Sequence, residues 1–282
     1  MIQHPKDRPH RRDESGPPHL PPTPAHSRRD ILTFGGMAAL ATLLGSPLPA
    51  AGQAAGTAGV PADGRPFEIV IVIYPKGALL DFAGPNEVFQ RFKNTRIRYA
   101  SPDGGMVTVE NGLASGPTER LADIRKADLL LIPGGPDLAP MVTPEVQAHL
   151  RRLSDSAQYV TSVCTGSLVL AAAGILKGKR SACHWACLNL LKEYGAIPDA
   201  ARFVKDGRFM SGGGVTAGID FALRVAAELH GPLVAQSIQL AIEYDPDPPF
   251  RSGHPRVAPR EVLDLVEAEI PGSSKGLYNL VR

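Results

Sequence analysis

The apolar positions of the chain follow two alternating patterns. Continuous runs rich in Val, Ile and Leu predict strands that are buried on both faces of a sheet. Segments whose apolar residues recur three or four positions apart predict helices. The predicted strands are residues 67–74, 96–100, 127–132, 158–163 and 181–184, and the predicted helices are residues 85–92, 144–156, 167–173, 185–194, 219–230 and 234–243.

The alternation of strands and helices predicts an α/β fold with a mostly parallel, doubly wound sheet. A hairpin is predicted at 203–212, while 106–121 contains hairpins or loops. Thr143 is expected to cap the helix at 144–156. Pro85 is expected in the first turn of its helix, where the missing N–H costs nothing. We interpret residues 67–282 as one domain that ends in a helical tail.

The N-terminal segment has the composition of a targeting signal. Residues 1–26 are rich in Pro, His and charge, and Arg28-Arg29 precedes a moderately apolar run at 31–48. This pattern predicts a twin-arginine-type export signal and leader over residues 1–55, which is removed, followed by a linker at 56–66. One alternative is a permanent anchor, but the apolar run is marginal for spanning a membrane. A second alternative is an ordinary Sec signal. We therefore expect a periplasmic protein that meets the membrane only transiently, during export.

Charge is balanced over the rest of the chain. The net charge is +2, and the first fifty residues hold six Lys and Arg against four Asp and Glu, which leaves 24 of each sign. Nucleic-acid binding usually requires a basic surface that replaces the counterions of phosphates. The sequence therefore predicts no nucleic-acid partner.

Cys164 lies at the turn between a predicted strand and a predicted helix. Reactive groups of open α/β sheets collect at such positions. The unpaired N–H groups of a helix N-terminus favour a thiolate, so we expect a lowered pKa and a nucleophilic Cys164. The alternative is a small buried residue that fills a tight turn.

Two neighbouring segments offer groups that stabilise an anion. Thr165 has a backbone N–H for a developing negative charge and a hydroxyl for substrate or water. Gly134-Gly135 ends the preceding predicted strand, and Gly135 is expected to present a second N–H because glycine permits close approach. Thr165 and Gly135 are therefore the predicted oxyanion donors.

Asp81 is the candidate proton donor. It follows the first predicted strand and an apolar turn. A carboxyl group in apolar surroundings near a thiolate has a raised pKa and can carry a proton at neutral pH. Taken alone, however, the local sequence favours a turn residue or a helix cap.

The other two cysteines, Cys183 and Cys187, flank His184. Three nearby ligands on one short element rarely complete a tetrahedral site, so we expect no metal. An odd number of cysteines also gives no disulfide framework. His184 remains a possible accessory to Cys164, or a packed histidine beside Trp185.

Six motifs occur in order along the chain: Leu80-Asp81-Phe82-Ala83-Gly84-Pro85, Ile132-Pro133-Gly134-Gly135, Thr161-Ser162-Val163-Cys164-Thr165-Gly166-Ser167, His184-Trp185, Gly212-Gly213-Gly214-Val215-Thr216-Ala217-Gly218-Ile219-Asp220 and Glu243-Tyr244-Asp245-Pro246. Together they resemble the isonitrile hydratase branch of the DJ-1/PfpI superfamily, one of the class I glutamine amidotransferase-like groups.

This resemblance implies a flavodoxin-like three-layer sandwich with a nucleophile elbow, commonly assembled as a homodimer. It implies that Cys164 is the nucleophile and Asp81 its acid/base partner in the hydration of an isonitrile to an N-substituted formamide. It implies no metal or organic cofactor. Two positions depart from the branch pattern: Leu80 replaces a polar residue, and Cys183 replaces Thr or Ser. The resemblance therefore does not specify the organic group of the substrate.

Other functions are compatible with the same cysteine. A glyoxalase-like or amidase-like hydrolase would rely on a glutamate or on His184. A redox-protective protein would oxidise Cys164 to a sulfinate. A ligand-sensing regulator would need two helix-turn-helix units, for which residues 253–282 are too short.

Overall fold

The computed structural model describes residue 61 and residues 63–269. Within this part, eight strands form one sheet in the order β3-β4-β2-β1-β5-β6-β10-β9. The pairs from β4 to β10 are parallel, and the outer pairs β3-β4 and β9-β10 are antiparallel. The strands are β1 (Phe67–Val72), β2 (Thr95–Ser101), β3 (Gly105–Thr108), β4 (Ala114–Arg120), β5 (Leu129–Ile132), β6 (Tyr159–Val163), β9 (Phe203–Asp206) and β10 (Phe209–Gly212), with β7 (Arg180–Ser181) and β8 (Ile197–Pro198) in a separate parallel pair.

Helices cover both faces of the sheet. The α-helices are α1 (Leu79–Phe89), α2 (Pro144–Ser156), α3 (Gly166–Ala172), α4 (Ala217–His230) and α5 (Pro232–Ala241), a 3₁₀ helix spans Trp185–Tyr194, and residues 260–269 are also helical. Successive strand residues alternate between two cores, since Val70 packs with α2 and α3 whereas Ile69 packs with α1, α4 and α5. The expected flavodoxin-like three-layer sandwich is confirmed.

The continuous apolar runs form strands because both sides of the sheet are covered. All four residues of β5 are buried, and Ile69, Val70, Ile71 and Val72 of β1 have no exposed surface. Full burial of such a side chain contributes roughly 1.5–3 kcal/mol. The inner parallel strands therefore form a rigid frame whose carboxyl ends hold the loops described below.

Most predicted elements are confirmed, with two corrections. Thr143 caps α2 as expected, since its hydroxyl accepts a hydrogen bond from the Val146 N–H at 3.3 Å. However, α1 begins at Leu79, so Pro85 lies inside the helix rather than in its first turn. The predicted strand at 181–184 is reduced to Arg180–Ser181. The Cβ atom of a residue at position 218 would lie 3.2 Å from the Pro85 ring, so the proline packs closely on α4.

The structure does not describe the predicted export signal or leader at 1–55, most of the linker at 56–66, or the end of the tail from residue 270. Within the described residues, no helix combines the length and the apolar character needed to cross a bilayer.

Candidate active site

The candidate site lies at the carboxyl ends of four neighbouring parallel strands, β1, β5, β6 and β10. The segments that follow these strands carry Asp81, Gly134, Cys164 and Val215, respectively. Adjacent parallel strands end at the same edge of a sheet, so residues far apart in sequence meet there. The structure thus brings Asp81, Gly135, Cys164 and Thr165 together, as the sequence predicted.

Cys164 occupies a sharp turn between β6 and α3. Its φ angle is +58°, a left-handed conformation that is uncommon for residues other than glycine. The turn is held by hydrogen bonds from the Cys164 N–H to the Gly213 carbonyl (2.8 Å) and from the Ser167 hydroxyl to the Cys164 carbonyl (3.0 Å). Such strain persists only where the surrounding structure enforces it, and it is frequent at active sites.

The turn also requires glycine at position 166. A Cβ atom there would lie 2.1 Å from the Ile132 carbonyl oxygen and 2.8 Å from the Pro133 carbonyl oxygen. Because Gly166 has no side chain, the start of α3 can lie directly against the end of β5. This close approach brings Thr165 next to Gly134 and Gly135.

Asp81 lies in the first turn of α1 and has no exposed surface. Its Oδ2 atom accepts a hydrogen bond from the Gly134 N–H at 2.8 Å. Its Oδ1 atom is buried and has no partner with hydrogen-bonding geometry in the described part of the chain. Burial raises the pKa of Asp81 to about 7, although the Gly134 N–H and the Cys164 thiol both lower it. Asp81 is therefore a buried acid that titrates near neutral pH, and not merely a helix cap.

The pKa of Cys164 contradicts the sequence-based expectation. Burial raises the pKa of this thiol well above its ordinary value, and the nearby Asp81 carboxylate raises it further. Hydrogen bonds from the backbone N–H groups of Thr165 and Val215 act in the opposite direction. The positive end of the short helix α3 thus fails to outweigh desolvation, because Cys164 is only 5% exposed.

Thr165 and Gly135 have different contacts from those predicted. The Thr165 hydroxyl accepts a hydrogen bond from the Gly135 N–H and donates one to the Gly135 carbonyl, each at 2.9 Å. In this structure, therefore, the Gly135 N–H is not free for an oxyanion, and the proton of the Thr165 hydroxyl is not free to be donated to water. The Thr165 backbone N–H keeps an anion-stabilising position, since it points to the Cys164 thiol.

Sequence reasoning missed Val215. Its N–H is the second backbone donor to the Cys164 thiol. The Gly212-Gly213-Gly214 run lies just before α4. Its position after a strand and before a helix, like that of Gly134-Gly135, was the available signal.

His184 lies apart from the Asp81–Cys164 pair. Its Nδ1 atom accepts a hydrogen bond from the Ala186 N–H at 3.3 Å and caps the 3₁₀ helix, and burial lowers its pKa. Its ring contacts the loop before Val215, since a Cβ atom at Gly214 would lie 2.9 Å from the His184 Cδ2 atom. The described residues include no hydrogen bond from His184 to Cys164.

The two positions that depart from the branch pattern have different environments. Leu80 is 39% exposed, whereas Cys183 is buried and close enough to Cys164 to affect its pKa. Burial raises the pKa of Cys183 to about 12. In the described part of the chain, no three His, Cys, Asp or Glu side chains are arranged to hold a metal ion.

A sequence model of the DJ-1/PfpI family matches residues 68–228, which include the four segments that surround Cys164. The chain belongs to the DJ-1/PfpI family.

Individual DJ-1/PfpI relatives refine this result. An isonitrile hydratase from Pseudomonas putida is 44% identical over 199 residues, which are 70% of this chain and 87% of the relative. The crystal structure of a THiJ/PfpI family protein from Pseudomonas syringae has a TM-score of 0.75 and 34% identity, covering 84% of this chain and 97% of that one. The transcriptional regulator CdhR from Pseudomonas aeruginosa is 34% identical, but the match spans 55% of this chain and only 47% of the regulator.

Proposed function

We propose that this DJ-1/PfpI protein hydrates an isonitrile to an N-substituted formamide through a covalent intermediate on Cys164. The observation that carries the proposal is the buried Asp81 carboxyl group beside the Cys164 thiol. The similarity to the P. putida isonitrile hydratase supports this reaction over other chemistry of the same fold. The reaction needs an acid to protonate carbon and a nucleophile to add to it, and the pair supplies both.

The first step forms a thioimidate. Asp81 donates its proton to the terminal carbon of R–N≡C, and the Cys164 thiolate adds to the same carbon to give R–N=CH–S–Cys. The thiolate arises when the thiol passes its proton to the Asp81 carboxylate. The N–H groups of Thr165 and Val215 stabilise the negative sulfur before it attacks.

The second step releases the product. The Asp81 carboxylate removes a proton from water as the oxygen adds to the thioimidate carbon, and that proton goes to the nitrogen. Loss of the hydroxyl proton to Asp81 expels the thiolate and gives R–NH–CHO. Asp81 ends protonated and Cys164 ends as the thiolate, so the cycle consumes one water and requires no metal or organic cofactor.

The test measures formamide production from cyclohexyl isocyanide by the wild type and by Cys164→Ala, Asp81→Asn and Cys187→Ala. Turnover is expected to fall by at least about 10³-fold in the first two variants, because a nucleophile and an acid are removed. Cys187→Ala also removes a buried thiol, but outside the reacting pair, and is expected to remain active.

Two results would count against the mechanism. A folded wild type that produces no formamide would exclude hydration of this substrate. Full activity of Cys164→Ala would show that the reaction does not pass through the thioimidate. Mass spectrometry after brief mixing provides a direct check, because the thioimidate adds the mass of the isonitrile to the wild-type protein.

The proposal extends to assembly as a homodimer. Apolar side chains are exposed around α5 and the segment after it, with Leu233, Leu240 and Phe250 each more than 75% exposed. A concentration of exposed apolar residues along one segment of the chain is typical of protein interfaces. Sedimentation velocity is expected to give twice the monomer mass, and a monomer at micromolar concentration would contradict the homodimer.

A further inference from the structure

A cleft of about 440 Å³ shares a wall with the nucleophile. Val215, which donates its N–H to the Cys164 thiol, and Cys183, which lies close enough to raise the pKa of that thiol, both line the cleft. The carbonyl of a third lining residue, Gly213, accepts the hydrogen bond from the Cys164 N–H. This volume is in the range of small-molecule sites. The cleft is therefore positioned to hold the organic group of a molecule that reacts at Cys164.

Part of the cleft lining is apolar. It is formed by Trp185, Leu188, Ala200 and Ala201. Trp185 and Leu188 are partly exposed, so their apolar surfaces are available to a ligand. Such a wall favours a ring or a short hydrocarbon body in the organic group.

Other lining residues are basic or can form hydrogen bonds. The lining includes Arg202, Arg256, His184 and His254, and none of the lining residues is acidic. Arg202 is ion-paired with Asp220 and donates to the Thr216 hydroxyl. Arg256 forms no ion pair with a carboxylate within the described residues, and this residue is exposed.

Further features of the cleft favour an anion. The 14-residue helix α4 begins at Ala217 in the cleft wall, and a helix N-terminus has partial positive charge. Burial lowers the pKa of His184 and of His254, so both are neutral hydrogen-bonding groups at pH 7 rather than cations. The uncompensated charge in the cleft is thus that of Arg256, a side chain suited to carboxylate recognition.

We propose that the preferred substrates are isonitriles whose organic group carries a carboxylate, which Arg256 binds while the apolar wall holds the body of the molecule. This inference rests on the proposed function, which supplies the reaction at the isonitrile carbon. The anion site itself rests on the composition of the cleft.

The kinetic test compares 4-isocyanobenzoate with its methyl ester. The wild type is expected to show a kcat/KM at least about tenfold higher for the carboxylate, as for a charge-assisted hydrogen bond. Arg256→Gln is expected to abolish that preference by raising the KM of the carboxylate, so that the two compounds then react with similar kcat/KM. Arg251→Gln is the matched control, because Arg251 is exposed and nearby in sequence but does not line the cleft, and it is expected to retain the preference.

Equal kcat/KM values for the two compounds in the wild type would overturn the inference, as would an equal loss for both in Arg256→Gln. A second readout separates this failure from failure of the proposed function. Trp185 is the single tryptophan of the chain and lines the cleft, so its fluorescence reports binding without turnover.

The binding test titrates 4-formamidobenzoate and its methyl ester, which are the expected products. Tighter binding of the carboxylate to the wild type and Arg251→Gln, but not to Arg256→Gln, would support the anion site even if neither isonitrile reacts. In that case the hydratase function would be wrong while the anion site would stand. Equal binding of the two compounds to the wild type would exclude the anion site.

Discussion

Burial controls the proton affinities of Asp81 and Cys164. The carboxyl group has a pKa of about 7, and the pKa of the thiol is raised well above its ordinary value. Below pH 7 the pair therefore holds two protons. Above pH 7 it holds one, and in the proposed mechanism a proton shift from sulfur to Asp81 gives the reactive thiolate with a neutral acid beside it.

This titration predicts a rise in activity with pH. Log kcat/KM is expected to increase with a slope of one below pH 7 and to level off above it. Asp81→Asn should lack this ascending limb in its residual activity. Glu110→Gln retains Asp81 and should shift the ascending limb of its pH profile to lower pH, because repulsion by Glu110 raises the pKa of Asp81. A pH-independent kcat/KM between pH 5 and 8 would contradict control by Asp81.

The contacts of Thr165 predict a structural role for its hydroxyl. Thr165→Val leaves the buried Gly135 N–H and carbonyl without their partner and is expected to lower the free energy of unfolding by about 2–3 kcal/mol. Thr165→Ser keeps the hydroxyl and should lose about 1 kcal/mol with the methyl group. Urea denaturation measures both values. If Thr165→Val were as stable as Thr165→Ser but impaired in kcat, the hydroxyl would instead act on water.

At the scale of the elements, the inner parallel strands and the elbow were predictable because their patterns are local. The start of α1 was not predictable. The preference of proline for the first turn of a helix considers only local sequence, and it placed Pro85 in the wrong turn. In the structure the proline is accommodated inside α1 and packs on α4, a contact that the sequence pattern does not reveal. The predicted direction of the Cys164 pKa shift was also wrong because of tertiary structure. The helix N-terminus is visible in the sequence, whereas the depth of burial is not.

The contact between α3 and β5 predicts that position 166 admits only glycine. Gly166→Ala would place a methyl group 2.1 Å from the Ile132 carbonyl oxygen, so we expect a loss of more than about 3 kcal/mol in the free energy of unfolding, or no folded protein. Gly253→Ala is the control, since nothing lies within 4 Å of its Cβ position. A stable Gly166→Ala protein with an unchanged circular dichroism spectrum would show that the elbow can relax.

At the scale of the whole molecule, the motifs in sequence order predicted both the fold and the meeting of Asp81 with Cys164. They did not reveal which groups the predicted oxyanion donors bind in the folded chain. The hydrogen bonds between Thr165 and Gly135 depend on the close approach of β5 and α3. The cleft was likewise beyond the sequence pattern. It combines residues from the 3₁₀ helix, the loop before α4 and the segment around Arg256.

The predicted export signal is tested on the full chain. In a bacterium with a functional twin-arginine pathway, cell fractionation is expected to place a shortened protein in the periplasm. Changing Arg28 and Arg29 together to Lys should retain the full-length chain in the cytoplasm. The same change at Arg11 and Arg12, the other arginine pair in the leader, preserves the count of charges and should not affect export. A cytoplasmic wild type would contradict the prediction.

The four segments that meet at Cys164 leave the ribosome at different times. Asp81 emerges first and Val215 last, and the N–H of Val215 reaches the thiol only once β10 has paired with β6. A nascent or prematurely terminated chain that lacks β10 therefore lacks one of the two donors that stabilise the thiolate. The donor set proposed to stabilise a Cys164 thiolate is completed only after β10 has left the ribosome and paired with β6.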